Sequence, residues 1–109
     1  MEDPVKYCEE NYPETVAEFK KLQEEMYILL CKKQMDYGIE NITLGKDISK
    51  PQNKTLSLTG IWFRMNDKMQ RIINLINNKA YNESIEESWI DLSNYSLISL
   101  LISKNKWFK

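Results

Sequence analysis

Histidine is absent from this sequence, and cysteine is scarce. Serine–histidine–aspartate and cysteine–histidine catalysis are therefore excluded within this chain, as are histidine-ligated zinc sites and histidine pH sensing. The two cysteines, Cys8 and Cys31, are too few for a metal cage or a disulfide framework. Any chemistry in this chain must rely on carboxylates and a cation.

Net charge and long apolar runs are also lacking. The formal net charge is −1, so the chain has no excess of positive charge with which to coat nucleic acid non-specifically. No stretch approaches the roughly 18 apolar residues of a membrane span, and the acidic start has no apolar run typical of a secretory signal. We expect a cytoplasmic protein with reduced thiols and no membrane partner.

Glycine and proline, three of each, all lie between Pro4 and Gly60. Because these residues are the strongest helix breakers, the stretches without them, 14–37 and 61–109, are the places to expect helices. No alternating strand pattern extends beyond a few residues. The sequence therefore predicts an all-α protein whose 109 residues form a single helical domain, 1–109.

Apolar spacing of three and four residues predicts the helices themselves. We expect helices over about 14–37, 59–77 and 83–103, with Gly38 supplying a left-handed residue at the end of the first. Residues 39–60 read as a long loop. From Leu97 onward the last helix is apolar on every side, which is typical of a helix buried in a bundle or against a second subunit. The expected architecture is a small bundle of three to four main helices that assembles as a homo-oligomer.

An acidic stripe follows the last predicted helix. Glu83, Glu87, Asp91 and Asn94 fall within about 80° of one another at helical spacing. Stacked carboxylates of this kind are suited to a hard cation such as Mg²⁺, and the alternative is a solvated acidic face. The stripe continues into Ile98 and Leu101, which favours a cleft that closes at its C-terminal end.

A basic face precedes it in the chain. Arg64, Lys68 and Arg71 share one side of the second predicted helix, where guanidinium and ammonium groups suit phosphate oxygens. The alternative is a soluble face with an internal Asp67–Arg71 pair. The short turn at 77–82 makes this helix an antiparallel neighbour of the acidic one, so the two faces can flank one groove.

A third group of residues lies where the first helix ends. Asp36 and Tyr37 precede Gly38, and this pattern is often plain capping. Together with Asn94, however, they are candidates to contact a base or sugar, because tyrosine stacks on bases and carboxylates accept from exocyclic amines. Glu24 and Glu25, earlier on the same helix, are candidates for the opposing half of a metal site.

These three blocks occur in a distinctive order and spacing: Lys33-x-x-Asp36-Tyr37-Gly38, Arg64-x-x-Asp67-Lys68-x-x-Arg71 and Glu83-Ser84-x-x-Glu87-Ser88-x-x-Asp91-Leu92-x-Asn94. Over about residues 30–102 the chain thereby resembles the nucleotide modification associated domain 1 family, small helical proteins found largely in phages and prophages. That family is more distantly similar to MazG-like all-α nucleotide pyrophosphatases. The resemblance implies a Mg²⁺-binding and catalytic role for Glu83, Glu87 and Asp91, and phosphate contacts from Lys68 and Arg71.

The resemblance and the residue patterns support two functional hypotheses. The first is Mg²⁺-dependent hydrolysis of a nucleotide phosphoanhydride, with Glu83, Glu87 and Asp91 holding the metal and Arg64, Lys68 and Arg71 facing the phosphates. The second keeps the pocket without the chemistry, as a protein that sequesters a nucleotide signal in the manner of an anti-defence sponge. A further alternative is a helical interaction protein with no small ligand.

Overall fold

A computed structural model describes residues 2–109, and within that range the chain is helical with no strand, which confirms the all-α prediction. Five helices follow one another along the chain: α1 (Pro4–Asn11), α2 (Pro13–Tyr37), α3 (Glu40–Thr43), α4 (Pro51–Asn77) and α5 (Ile85–Ser103). Helix α4 packs along α5, α3 packs on α4, α1 folds back on α2, and α2 approaches α5. None of the helices described is long and apolar enough to cross a bilayer.

The three prolines each stand at the start of a helix. Pro4, Pro13 and Pro51 begin α1, α2 and α4, where the missing N–H would have no partner in the helix and the fixed φ is already helical. The long loop expected over 39–60 is therefore wrong, because α3 occupies part of it and α4 begins at Pro51. Gly60 lies inside α4, and a Cβ added there would meet no atom within 4 Å.

Helix α2 ends where expected, at Gly38. The φ of Gly38, 75°, is in the range that favours glycine, although its ψ of 163° is extended rather than left-handed helical. Helix α5 begins two residues later than predicted. Ser84 is its N-cap, and its side chain accepts a hydrogen bond from the Glu86 N–H at 3.1 Å. Glu83 consequently lies outside the helix.

The core is small and lies between α4 and α5. Its buried cluster contains Ile61 of α4, Ile98 and Ile102 of α5, and residues from the connection and the C-terminal tail, namely Ile42, Ile48 and Trp107. The indole N–H of Trp107 donates to the Ile39 carbonyl at 3.0 Å, so the tail after α5 folds back onto the segment around α3. This bond helps fix the connection between α2 and α4.

Much of the predicted apolar surface is not covered within one chain. On α2, Phe19 is 61% exposed, and on α4 the positions Trp62, Met69, Ile73 and Ile76 are each more than half exposed. The buried residues of α4 are Ser57, Ile61 and Ile72. The radius of gyration is 16.8 Å, whereas about 13 Å is typical of a compact domain of this length. The chain is thus more open than a compact domain of its length.

Candidate functional site

One carboxylate joins the three long helices. Asp91 of α5 receives the Lys33 ammonium of α2 at 2.7 Å on Oδ1 and the Lys68 ammonium of α4 at 3.0 Å on Oδ2. The Asp91 side chain is 13% exposed, that of Lys68 19% and that of Lys33 37%. These three residues, which we call the bridging triad, meet where α2 comes closest to the α4–α5 pair.

Burial and charge act in opposite directions on the Asp91 carboxyl. Desolvation raises its pKa. The hydrogen bonds from Lys33 and Lys68, together with the attraction of both charges, lower the pKa by more than desolvation raises it, so the pKa of Asp91 lies below its ordinary value. The pKa of Lys33 is shifted the opposite way. Desolvation lowers it, and the hydrogen bond and charge of Asp91 more than compensate, so the pKa of Lys33 lies above its ordinary value. Asp91 and Lys33 are therefore both charged at neutral pH.

The triad lines a cleft of about 210 Å³, which we call the basic cleft. Arg64 contributes a third cation and is held by a hydrogen bond from Nη2 to the Asn41 carbonyl at 3.3 Å. Three cations therefore face one carboxylate, so the cleft carries an excess of positive charge that suits an anion. Its remaining lining residues are Leu30, Gln34, Tyr37, Asn41, Ile42, Asn94, Tyr95 and Ile98.

Two of the three residues predicted to contact a base or sugar lie in this lining. Tyr37 is 62% exposed, at the end of α2, and Asn94 is 7% exposed. The Asn94 side-chain amide donates to the Met26 carbonyl at 3.2 Å, which ties α5 to α2. Asp36 is exposed and is not part of the lining.

The predicted basic face divides into two. Arg64 and Lys68 line the basic cleft, whereas Arg71 does not. The Arg71 guanidinium pairs with Asp67 at 3.0 Å, one turn earlier on α4, and approaches Glu83 at 4.0 Å. Those two carboxylates hold it away from the other cations.

The predicted acidic stripe also divides. Its C-terminal half, Asp91 and Asn94 followed by the buried Ile98, faces inward, whereas Glu83 and Glu87 are exposed. No group of three or more histidine, cysteine or acidic side chains within residues 2–109 is placed to hold a metal ion. Both Asp91 oxygens already accept from lysines, so the carboxylates of one chain do not fit a Mg²⁺ site as they stand. Glu24 and Glu25 are exposed and form no part of the cleft.

Sequence reasoning assigned no role to Lys33, which contacts Asp91 more closely than any other cation described. A signal was present. The apolar positions Met26 and Leu30 continue at helical spacing into Lys33 and Tyr37, so one side of α2 changes from apolar to polar within two turns. A cation on such a stripe indicates a buried partner on the helix that faces it.

Comparison with protein-family models, with curated proteins and with solved structures finds no match to this chain. The resemblance drawn from the three sequence blocks therefore stays a prediction, and functional inference depends on the site itself.

Proposed function

We propose that this protein binds a nucleotide through its phosphate group in the basic cleft. The observation that carries the proposal is the charge of the lining, in which three cations, Lys33, Arg64 and Lys68, share the cleft with the single carboxylate of Asp91. Arginine offers a planar fork to phosphate oxygens and lysine a point charge, so the two together are a common phosphate-binding set.

The dimensions of the cleft favour the phosphate end of the ligand. Small-molecule pockets are commonly about 300–1,000 Å³, and the basic cleft at about 210 Å³ is smaller. A phosphate and part of a sugar fit such a volume. The base would then lie toward the exposed ring of Tyr37, on which it can stack.

Binding without hydrolysis is the better supported of the two nucleotide hypotheses. Hydrolysis by metal-activated water requires carboxylates that are free to hold the metal. Asp91 is engaged by two lysines, and Glu83 and Glu87 are exposed and are not part of the cleft lining. The geometry thus supports capture of a nucleotide, as in the sequestration hypothesis.

The third hypothesis, a helical interaction protein, excludes a small ligand, but the assembly that it requires is favoured by a separate observation. Large apolar side chains remain exposed along α2 and α5, including Phe19, Leu97 and Leu100. We therefore also propose that the working form is an assembly of identical chains. Nucleotide capture and self-association use different surfaces and are compatible.

The binding proposal is tested by calorimetry with nucleoside mono-, di- and triphosphates, cyclic dinucleotides, inorganic phosphate and pyrophosphate, each with and without Mg²⁺. Arg64→Gln is the informative variant, because Arg64 makes one long hydrogen bond and its loss leaves the bridging triad intact. Loss of a charged hydrogen bond, about 1.5–3 kcal/mol, predicts roughly 10- to 100-fold weaker binding.

Arg71→Gln is the matched control, since Arg71 lies on the same helix outside the cleft. The affinity of this variant for the nucleotide should stay within about twofold of the wild type. Absence of binding by every compound tested would overturn the proposal. Release of phosphate or pyrophosphate from a bound nucleotide, lost in Asp91→Asn, would replace it with the hydrolase hypothesis.

A further inference from the structure

A large apolar groove separates α2 from α5 beyond the basic cleft. Its volume is about 610 Å³, and its walls are mainly apolar, with Phe19, Leu22, Met26 and Tyr27 on α2 opposite Leu97 and Leu100 on α5. Within one chain these walls are open to solvent, since Phe19, Leu97 and Leu100 are each more than half exposed. Exposed apolar side chains gathered along one groove are a feature of protein interaction sites.

The total accessible area of the chain shows how much surface remains uncovered compared with a typical folded monomer. Its accessible area is 8472 Å², whereas a folded monomer of 13.0 kDa is expected to expose about 6,300 Å². The excess is roughly 2,100 Å². A standard stable interface removes about 800 Å² from each partner, so the excess is large enough for a dimer with an extensive interface.

Helix α5 contributes part of this exposed apolar surface at the groove. Ile98 and Ile102 pack toward α4 and are buried, whereas Leu97 and Leu100 point away from α4 and are 53% and 55% exposed. A helix that is apolar on every side is stable in water when both faces are covered. The chain itself covers the α4 side, and the other side faces the groove.

We infer that a second copy of this chain occupies the groove, with α2 and α5 of each copy forming a four-helix bundle about a twofold axis. The same surface offers both exposed apolar side chains, Phe19 and Leu22, and the apolar channel that they border, which is the self-complementarity that a twofold interface needs.

Charge is complementary in the same sense. Acidic residues predominate in 1–40, where α2 contributes five acidic and four basic residues, and 92–109 contains basic residues and no acidic ones. Lys104 lines the groove, where an acidic side chain of α2 from the second copy can approach it.

The interface would lie beside the basic cleft without depending on it. Leu30 and Asn94 line both cavities, so the second copy comes close to the nucleotide site while Lys33, Arg64 and Lys68 lie outside the groove lining. Dimer formation is therefore expected in the absence of any nucleotide, and Arg64→Gln should leave it unchanged.

The test is the molar mass by light scattering after size exclusion, over protein concentrations from about 1 to 100 μM. The wild type should give twice 13.0 kDa. Leu97→Glu should shift the mass to that of one chain, because it introduces a charge in the apolar groove. Met35→Glu is the matched control. Met35 is on α2, the other helix of the proposed interface. It is 88% exposed and lies outside the groove lining, so this variant should remain dimeric.

A monomeric wild type across the concentration range overturns the inference. So does a dimer that survives Leu97→Glu and is lost in Ile73→Glu, since this would assign the interface to the exposed stripe of α4. If Leu97→Glu fails to fold by circular dichroism, Leu100→Glu takes its place, because Leu100 also lines the groove and is 55% exposed. A dimer predicts a melting temperature that rises with protein concentration, and a concentration-independent value contradicts it.

Discussion

Replacing Asp91 by alanine should destabilise the protein, and the size of the loss follows from the bridging triad. Asp91→Ala removes two charged hydrogen bonds and leaves two ammonium groups without their partner. Lys33 is more than a third exposed and can turn to water, so its share resembles that of a surface pair, up to about 1 kcal/mol. Lys68 is better buried, and its bond is comparable with a charged hydrogen bond, about 1.5–3 kcal/mol.

The expected loss is therefore about 1.5–4 kcal/mol, measured as the free energy of unfolding by urea titration monitored by circular dichroism. Asp67→Asn is the matched control, because Asp67 is also ion-paired but is 60% exposed on one helix, and its loss should stay within about 0.5 kcal/mol. Coupling between Asp91 and Lys68 is isolated by a double-mutant cycle with Lys68→Met.

This prediction separates two roles for the same carboxylate. If Asp91 served to hold a metal, its removal would abolish turnover and spare stability, because an unfilled metal site contributes nothing to folding. If it holds three helices together, its removal costs stability whether or not a ligand is present. A change below about 0.5 kcal/mol would refute the structural role and the reasoning from the triad.

Three further predictions concern stability. Because the pKa of Asp91 is lowered on folding, the stabilisation by Asp91 is present above its unfolded pKa of about 3.9 and is lost as pH falls through its folded pKa. The pKa of Lys33 is raised on folding, so the stabilisation by Lys33 is present below its unfolded pKa of about 10.4 and is lost as pH rises through its folded pKa. The stability difference between wild type and Asp91→Ala, from urea titrations at several pH values, should be constant between pH 5 and pH 9 and shrink outside that range; a flat difference from pH 2 to pH 5 would contradict the lowered pKa. Gly60→Ala should stabilise by about 0.5–1 kcal/mol in thermal unfolding, since Gly60 is inside α4 and a Cβ meets open space; a lower melting temperature would contradict this placement. Ser84→Ala should cost about 1 kcal/mol in the same assay through loss of the α5 cap, and no change would mean that the Glu86 N–H finds another acceptor.

How far the fold could be predicted from sequence depended on what each proline does. The period of apolar residues between Val16 and Leu30 was enough to predict α2, and Gly38 was enough to end it. The same breaker logic failed at Pro51, because proline at the first position begins a helix as readily as it ends one. Apolar spacing alone cannot distinguish these cases, since the deciding factor is where the chain enters the helix.

Helical spacing predicted part of the site and missed the rest. Helical spacing placed Arg64, Lys68 and Asp91 on facing helices correctly, and those residues do line one cleft. It could not place Glu83, which precedes the N-cap of α5, or Arg71, whose side chain turns toward Asp67. Both depend on a helix boundary or a local ion pair, which periodicity does not encode. Lys33 comes from α2, whose approach to α5 is a tertiary fact.

The two proposed surfaces depend on the same helix placement. Among residues 2–109, the hydrogen bonds between α2 and α5 are Lys33 to Asp91 and Asn94 to the Met26 carbonyl, and both lie at the end of the groove nearest the basic cleft. Beyond Met26, the apolar wall of α2 has no polar link to α5. The triad and the Asn94 bond therefore hold α2 to α5 at the cleft end of the groove, and the stretch without polar links is the one that we assign to a second copy.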